Sequence, residues 1–294
     1  MTPAFARFTA PARQHPQLWR LILGMGVIAA CYFGWIAALG GLLWLIAGAA
    51  RIEAGLRGFG TGGDPWTVIG LLLTFVGPWI GVWAAVRLLH GRSLGSVIGR
   101  GPQVLRDFAA GLAVTALVAI AGLALLPLAP PLVPATPPAV WLAFLPLALA
   151  GLLIQTGAEE VVFRGYLQQQ LAARFASPLI WMGLPAALFG LAHYAPGTEP
   201  ASPWLIVAVT GFFGLVAADL TARSGTIGLA WGLHFANNVI AVLVVSAMAG
   251  LDGLALFRIA DGAGGRLDLQ ALLLADMALM ALVWALARLW LARR

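Results

Sequence analysis

The sequence predicts an all-α, polytopic transmembrane helix bundle of about eight spans with both termini in the cytoplasm. Three observations carry that prediction. Of the 294 residues, 61% are hydrophobic and only 10% charged, whereas soluble domains are about half apolar and about a quarter charged. Apolar stretches recur along the chain at close to the ~20 residues that a spanning helix needs. The 17 basic residues, every one an arginine, are spread unevenly among the segments that join those stretches. A soluble core of this length would need a polar shell that the sequence lacks.

The apolar segments fall at 18–50, 66–89, 104–129, 140–156, 178–195, 203–222, 225–249 and 269–291. Each approximates one span except 140–156, which runs on into a charged stretch, and seven spans is the fallback count. The first segment fits one long tilted helix or a helix with a re-entrant turn at Gly40–Gly41. It is too long for a signal-peptide core, so no cleavable leader is expected. With the N-terminus inside, thirteen of the seventeen arginines fall on the inner side and Arg51, Arg57, Arg258 and Arg266 on the outer, the bias that cytoplasmic loops show. The connector 55–64 reads as a flexible turn. Residues 127–138 read as a stiff proline-rich outer link, and 252–268 as a longer outer loop. No repeat and no separate soluble domain is evident. Residues 1–294 form a single integral membrane domain, in which 1–130 hold no named motif and 140–248 hold the polar clusters.

Composition also narrows the partners. The net charge of +6 follows from topology. No dense arginine patch with interleaved aromatics is present, so nucleic acid is not an expected partner. The lipid bilayer is one, and the lysine-free, Ala- and Gly-rich composition suggests a bacterial inner (cell) membrane. The lone Cys31 excludes an intrachain disulfide.

Ionisable residues inside a membrane are costly, roughly 2.5–3.5 kcal/mol each at a helix centre, and so mark candidate sites. Three clusters stand out: EEVVFRG (Glu159–Gly165), FGLAH (Phe189–His193) and HFANN (His234–Asn238). Adjacent helical residues lie about 100° apart, so Glu159 and Glu160 are not expected to point at the same spot. Glu160 and Arg164 share a face at i,i+4 and read as a structural ion pair. Glu159 is left without a built-in partner and can act on water. His193 ends an apolar helix, where a plain hydrogen-bonding role is the alternative. His234 and Asn238 share a face, with Asn237 about 100° away. They can offer two donors to a developing oxyanion, or simply hydrogen-bond between helices. A carboxylate base, a histidine and a His/Asn pair from three spans make up the equipment for adding water to a carbonyl. Elsewhere, Asp219 and Arg223 read as an i,i+4 ion pair, and Asp107 and Asp276 as residues that reach the interface from span ends, with a place facing the bundle as the alternative for Asp276.

In their order and spacing, these clusters resemble the three motifs of the intramembrane CAAX-protease and bacteriocin-processing family, Glu-Glu-x-x-x-Arg, Phe-x-x-x-His and His-x-x-x-Asn. The resemblance covers roughly residues 140–248. It implies a membrane-embedded endopeptidase in which Glu159 is the general base and His193 helps to activate water. His234 and Asn238 would form the oxyanion site, and Glu160 and Arg164 the structural pair. Eukaryotic members trim prenylated C-termini, so a hydrophobic or lipidated peptide is the implied substrate. The alternative is a non-proteolytic bacteriocin-immunity or membrane scaffold protein of the same fold. A transporter is disfavoured by the lack of repeats or paired broken helices. Glu159, His193 and His234 could also supply one oxygen and two nitrogens to a catalytic zinc, although no HExxH helix is present. The cofactor expectation is therefore none, or a divalent metal on those three residues. No feature bears on oligomeric state.

Overall fold

The computed structural model describes residues 1–50, 53, 64–124, 131–196, 202–246, 252–260 and 269–294. A short helix, α1 (Pro3–Thr9), leads into the bundle. Among the described residues, six helices are long and apolar enough to cross a membrane: α2 (Leu18–Ala47), α3 (Pro65–His90), α4 (Gly101–Gly122), α5 (Pro138–Arg174), α7 (Pro203–Ser224) and α9 (Leu269–Ala292). The fifth and seventh expected segments fold as shorter apolar helices, α6 (Leu179–Ala192) and α8 (Gly228–Val244). At 1.5 Å per residue these measure about 21 and 26 Å, less than the ~30 Å hydrocarbon layer. Among the described residues, six helices thus reach spanning length where eight spans were expected. Helix α2 is unbroken through Gly40 and Gly41, which removes the re-entrant turn.

Local chemistry sets the helix ends. Proline occupies the first turn of α3, α4, α5 and α7, where its missing N–H is not needed and its fixed φ suits the helix. Gly91 (φ 62°) and Gly225 (φ 76°) end α3 and α7 in the left-handed conformation that favours glycine.

One departure from an all-helical chain lies at an end of the bundle. Three short strands form a sheet ordered β1–β3–β2, with β1 (Leu132–Pro134) antiparallel and β2 (Val245–Ser246) parallel to β3 (Phe257–Ile259). Parts of the expected outer link and outer loop are thus paired to each other. The sheet ties the start of α5 to the end of α8, and Trp141 Nε1 donates to the Leu243 carbonyl beside it (2.9 Å). The turn 55–63 and residues 261–268 lie outside the described residues.

Small residues let the helices approach closely. A Cβ on Gly232 would lie 2.7 Å from the Phe108 carbonyl carbon, and one on Gly228 would lie 2.9 Å from Val104 Cα. Helix α8 is thereby seated on the backbone of α4, the small-residue contact typical of membrane bundles. Asp107, expected at the interface, is instead fully buried on α4. It accepts from Thr226 Oγ1 (3.0 Å) and from Arg294 (2.5 Å), because the turn before α8 and the end of α9 converge on it. The Asp219–Arg223 pair forms as expected, at 2.9 Å. Beyond the spans, burial lowers the Arg92 guanidinium pKa to about 10, while Arg92 donates to Gln169 Oε1 (2.8 Å).

Substitution of Gly232 by valine should push α8 off α4. Overpacking of this kind typically costs about 1–3 kcal/mol, so thermal unfolding in detergent should show a lowered Tm. An unchanged Tm would mean that the contact is not close.

Candidate functional site

The polar clusters meet where α5, α6, α7 and α8 pack together. Helix α5 changes its winding there. Residues Pro138–Glu160 are α-helical, Val161–Leu167 form a π-helical stretch, and Gln168–Arg174 return to α. Such π segments are rare and concentrate at functional sites. One turn before the glutamates, Gly157 faces two indoles. A Cβ there would lie 2.6 Å from Trp231 and 2.7 Å from Trp79. Only glycine lets α5 lie this close to α8, and Trp231 Nε1 donates to Thr156 Oγ1 across the contact (3.2 Å).

Glu160 is fully buried, and its Oε1 accepts two hydrogen bonds. One comes from Arg164 (3.0 Å) and the other from His234 Nδ1 (2.8 Å). The Arg164 pair is the expected one, but Glu160 also holds the histidine of α8. Arg164 is itself 1% exposed. Its guanidinium carbon lies 4.5 Å from the ring centre of Phe189 on α6 and 5.5 Å from that of Phe213 on α7. A desolvated cation over aromatic faces gains about 2 kcal/mol or more, which helps to offset its burial.

Glu159 is not wholly free, contrary to expectation. Its Oε1 accepts from Gln155 Nε2 (2.9 Å). Its Oε2 is buried, takes no hydrogen bond, and lies 3.6 Å from His234 Nε2. The imidazole therefore stands between the two glutamates, with one nitrogen toward each. Asn238, the other member of the expected pair, donates from Nδ2 to Gln155 Oε1 (2.9 Å). Gln155 is a site residue that motif reading missed. Its signal was present in the sequence, since it lies four residues before Glu159 on the same helical face.

His193 closes α6. Its Nδ1 lies 2.8 Å from the Phe189 carbonyl, which only accepts, so Nδ1 carries a proton and donates it there. Its ring and that of His234 both pack on Phe189, at 4.6 and 6.0 Å between centres. The motif phenylalanine thus supports Arg164 and both histidines. Among the described residues, no three His, Cys, Asp or Glu side chains are grouped as metal ligands. Glu159 and His234 are neighbours, but His193 does not join them in a ligand set, so the donors do not fit a three-residue zinc site.

The fold and this site define an all-α integral membrane protein with a carboxylate–histidine–asparagine cluster enclosed by its own helices. Residues 136–240 match the family model described as type II CAAX prenyl endopeptidase Rce1-like, and over that segment the chain is similar to the Rce1-like family. All of the site residues named above, from Gln155 to Asn238, fall inside it. An uncharacterized protein of Bacillus subtilis (strain 168), YyaK, is 33% identical over 108 residues, 36% of this chain and 35% of the relative. The match thus spans about a third of that protein's length. No solved structure matches the chain.

Removing one partner of a buried ion pair typically costs about 3–5 kcal/mol, while replacing both with apolar groups of similar volume is often near neutral. Glu160→Met should therefore lower the Tm in detergent sharply. Glu160→Met combined with Arg164→Leu should recover much of that loss. Equal stability of the single variant and the wild type would show that the pair bears no load.

Proposed function

We propose that the chain is an intramembrane endopeptidase that hydrolyses peptide bonds of hydrophobic or lipidated substrates through water activated by Glu159. The observation that carries this reading is the state of Glu159. One oxygen is held by Gln155, while the other is buried, unpartnered and within 3.6 Å of an imidazole nitrogen. A carboxylate held on one side and bare on the other is equipped to take a proton from water.

In the reaction, Glu159 Oε2 accepts a proton as the water oxygen bonds to the scissile carbonyl carbon. His193, in its neutral form, accepts a hydrogen bond at Nε2 from the same water and orients it. His234 donates Nδ1–H to Glu160. With a second proton on Nε2 it makes the cluster of Glu159, Glu160, Arg164 and His234 electrically neutral, the least costly state in a low-dielectric interior. Nε2–H and the remaining N–H of Asn238 then stabilise the oxyanion. As the C–N bond breaks, Glu159 passes its proton to the leaving amine, giving a free carboxyl end and a free amino end.

The placement of the site supports a topology as well. Glu159 lies 21 residues, about 32 Å, beyond the start of α5, and His234 only six residues, about 9 Å, beyond the start of α8. The cluster is therefore near the end of the bundle that carries Arg92, Arg174 and Arg223. The arginine bias favours a cytoplasmic location for that end, in a bacterial cell membrane.

Purified wild type and Glu159→Gln should be compared on quenched fluorescent peptides, one with a farnesylated CAAX end and one plain and hydrophobic. The variant should fold normally and lose about 10³-fold or more in kcat, as expected when a general base is removed. Turnover by Glu159→Gln at the wild-type rate would end the assignment. Metal content and the effect of a chelator on the same samples test whether the reaction proceeds without metal, as the ungrouped ligands suggest.

A further inference from the structure

Gln155 has no part in the proton steps above, yet it touches both halves of the site. It is 7% exposed and contacts Glu159 and Asn238 at 2.9 Å each. We infer that Gln155 is a positioning residue that lets the Glu159 carboxylate set the direction of the Asn238 amide, so that base and oxyanion donor are aligned together. The inference rests on the proposed hydrolase reading and adds a residue to it.

The argument follows from donor and acceptor rules. A carboxylate only accepts hydrogen bonds, so Gln155 must turn its NH2 toward Glu159. Its carbonyl oxygen then points the other way, at Asn238. That oxygen also only accepts, so Asn238 must present its own NH2. One Asn238 N–H is used by Gln155, and the other is left for the substrate. With the Asn238 amide reversed, its carbonyl oxygen would face the Gln155 oxygen without a donor between them, and the oxyanion would meet an oxygen. The charge on Glu159 thus fixes two amides in sequence and selects the orientation of Asn238 that stabilises an oxyanion.

The arrangement also divides the work of Glu159. Gln155 occupies Oε1, so only Oε2 is open to water, on the side facing His234. A carboxylate free to rotate would present either oxygen. The Gln155 bond therefore gives one reactive oxygen, and spacing supports it. Gln155 and Glu159 are four residues apart on α5, and Asn238 lies four residues beyond His234 on α8, so the two helices meet along matched turns.

The test uses the full chain in detergent, with the farnesylated and the plain peptide as probes, and includes Glu159→Gln. Gln155→Leu keeps similar bulk and removes both hydrogen bonds. It should lower kcat about 10- to 100-fold, the range for a hydrogen bond to a charged group, with KM little changed and the Tm near wild type. Gln155→Glu separates positioning from packing. A protonated carboxyl at 155 can donate to Glu159 and accept from Asn238, whereas an ionised one cannot donate. Activity of that variant should approach wild type at low pH and fall as pH rises, with the fall setting in at lower pH than in wild type. Wild-type kcat in Gln155→Leu, or a wild-type pH profile in Gln155→Glu, would overturn the role of Gln155 while an inactive Glu159→Gln still upheld the base. An active Glu159→Gln, or no cleavage of either peptide by wild type, would remove the hydrolase reading and this role with it.

Discussion

The site depends on one shared carboxylate oxygen. Glu160 Oε1 takes hydrogen bonds from Arg164 on its own helix and from His234 on α8. Arg164 in turn lies over the rings of Phe189 and Phe213, so the same carboxylate links α5 to α6, α7 and α8. In a membrane these contacts replace water for groups that have no other solvent. A fully buried carboxylate and guanidinium persist only when they are paired; Glu160 Oε1 is paired twice, while its Oε2 takes no hydrogen bond. Where the cluster is anchored, the four helices must also meet.

That anchor sets requirements on the surrounding sequence. Helices α5 and α8 can share short polar contacts only if their backbones are close, and Gly157 provides this by giving its space to Trp231 and Trp79. Glycines on α8 do the same against α4, placing α8 between two neighbours that fix its rotation. Along the α5–α8 contact, Thr156 meets Trp231, Glu160 meets His234 and Gln155 meets Asn238. Three polar ties, on successive turns of α8, set the register of one helix against the other, and a slip by one turn would break all three.

Much of this was legible in the chain. The apolar periodicity gave the bundle, and the i,i+4 spacing of Glu160 with Arg164 gave their pair. The ordered motifs also gave the residues that converge. What remained hidden depends on which helix faces which. Gln155 reads as one more polar residue at the end of an apolar run until α8 brings Asn238 opposite it. Asp107 reads as an interfacial residue until the turn at Thr226 and the end of α9 close over it. The short sheet joins residues more than a hundred positions apart, and no local pattern announces such pairing. Hydropathy likewise marks apolar segments without fixing how much of each is wound into one helix, so α6 and α8 read as full spans.

The adjacent glutamates show how helical geometry becomes chemistry. Their side chains leave α5 about 100° apart, which suggested that they serve separate places. They serve separate atoms of one place. An imidazole has a nitrogen on each side of its edge, and His234 enters between the two carboxylates with Nδ1 on Glu160 and Nε2 toward Glu159. The divergence that keeps the glutamates from sharing a single hydrogen bond is what allows them to bracket a ring. Glu160, fully buried and paired with Arg164 through Oε1, fixes the orientation of His234 by accepting from its Nδ1. Glu159, less buried and held at one oxygen only, keeps a reactive edge. The two roles fall on different residues, since Glu160 orients the ring through Nδ1 and Glu159 faces its other nitrogen. Two residues farther apart along the helix would lie on different turns and could not flank one side chain.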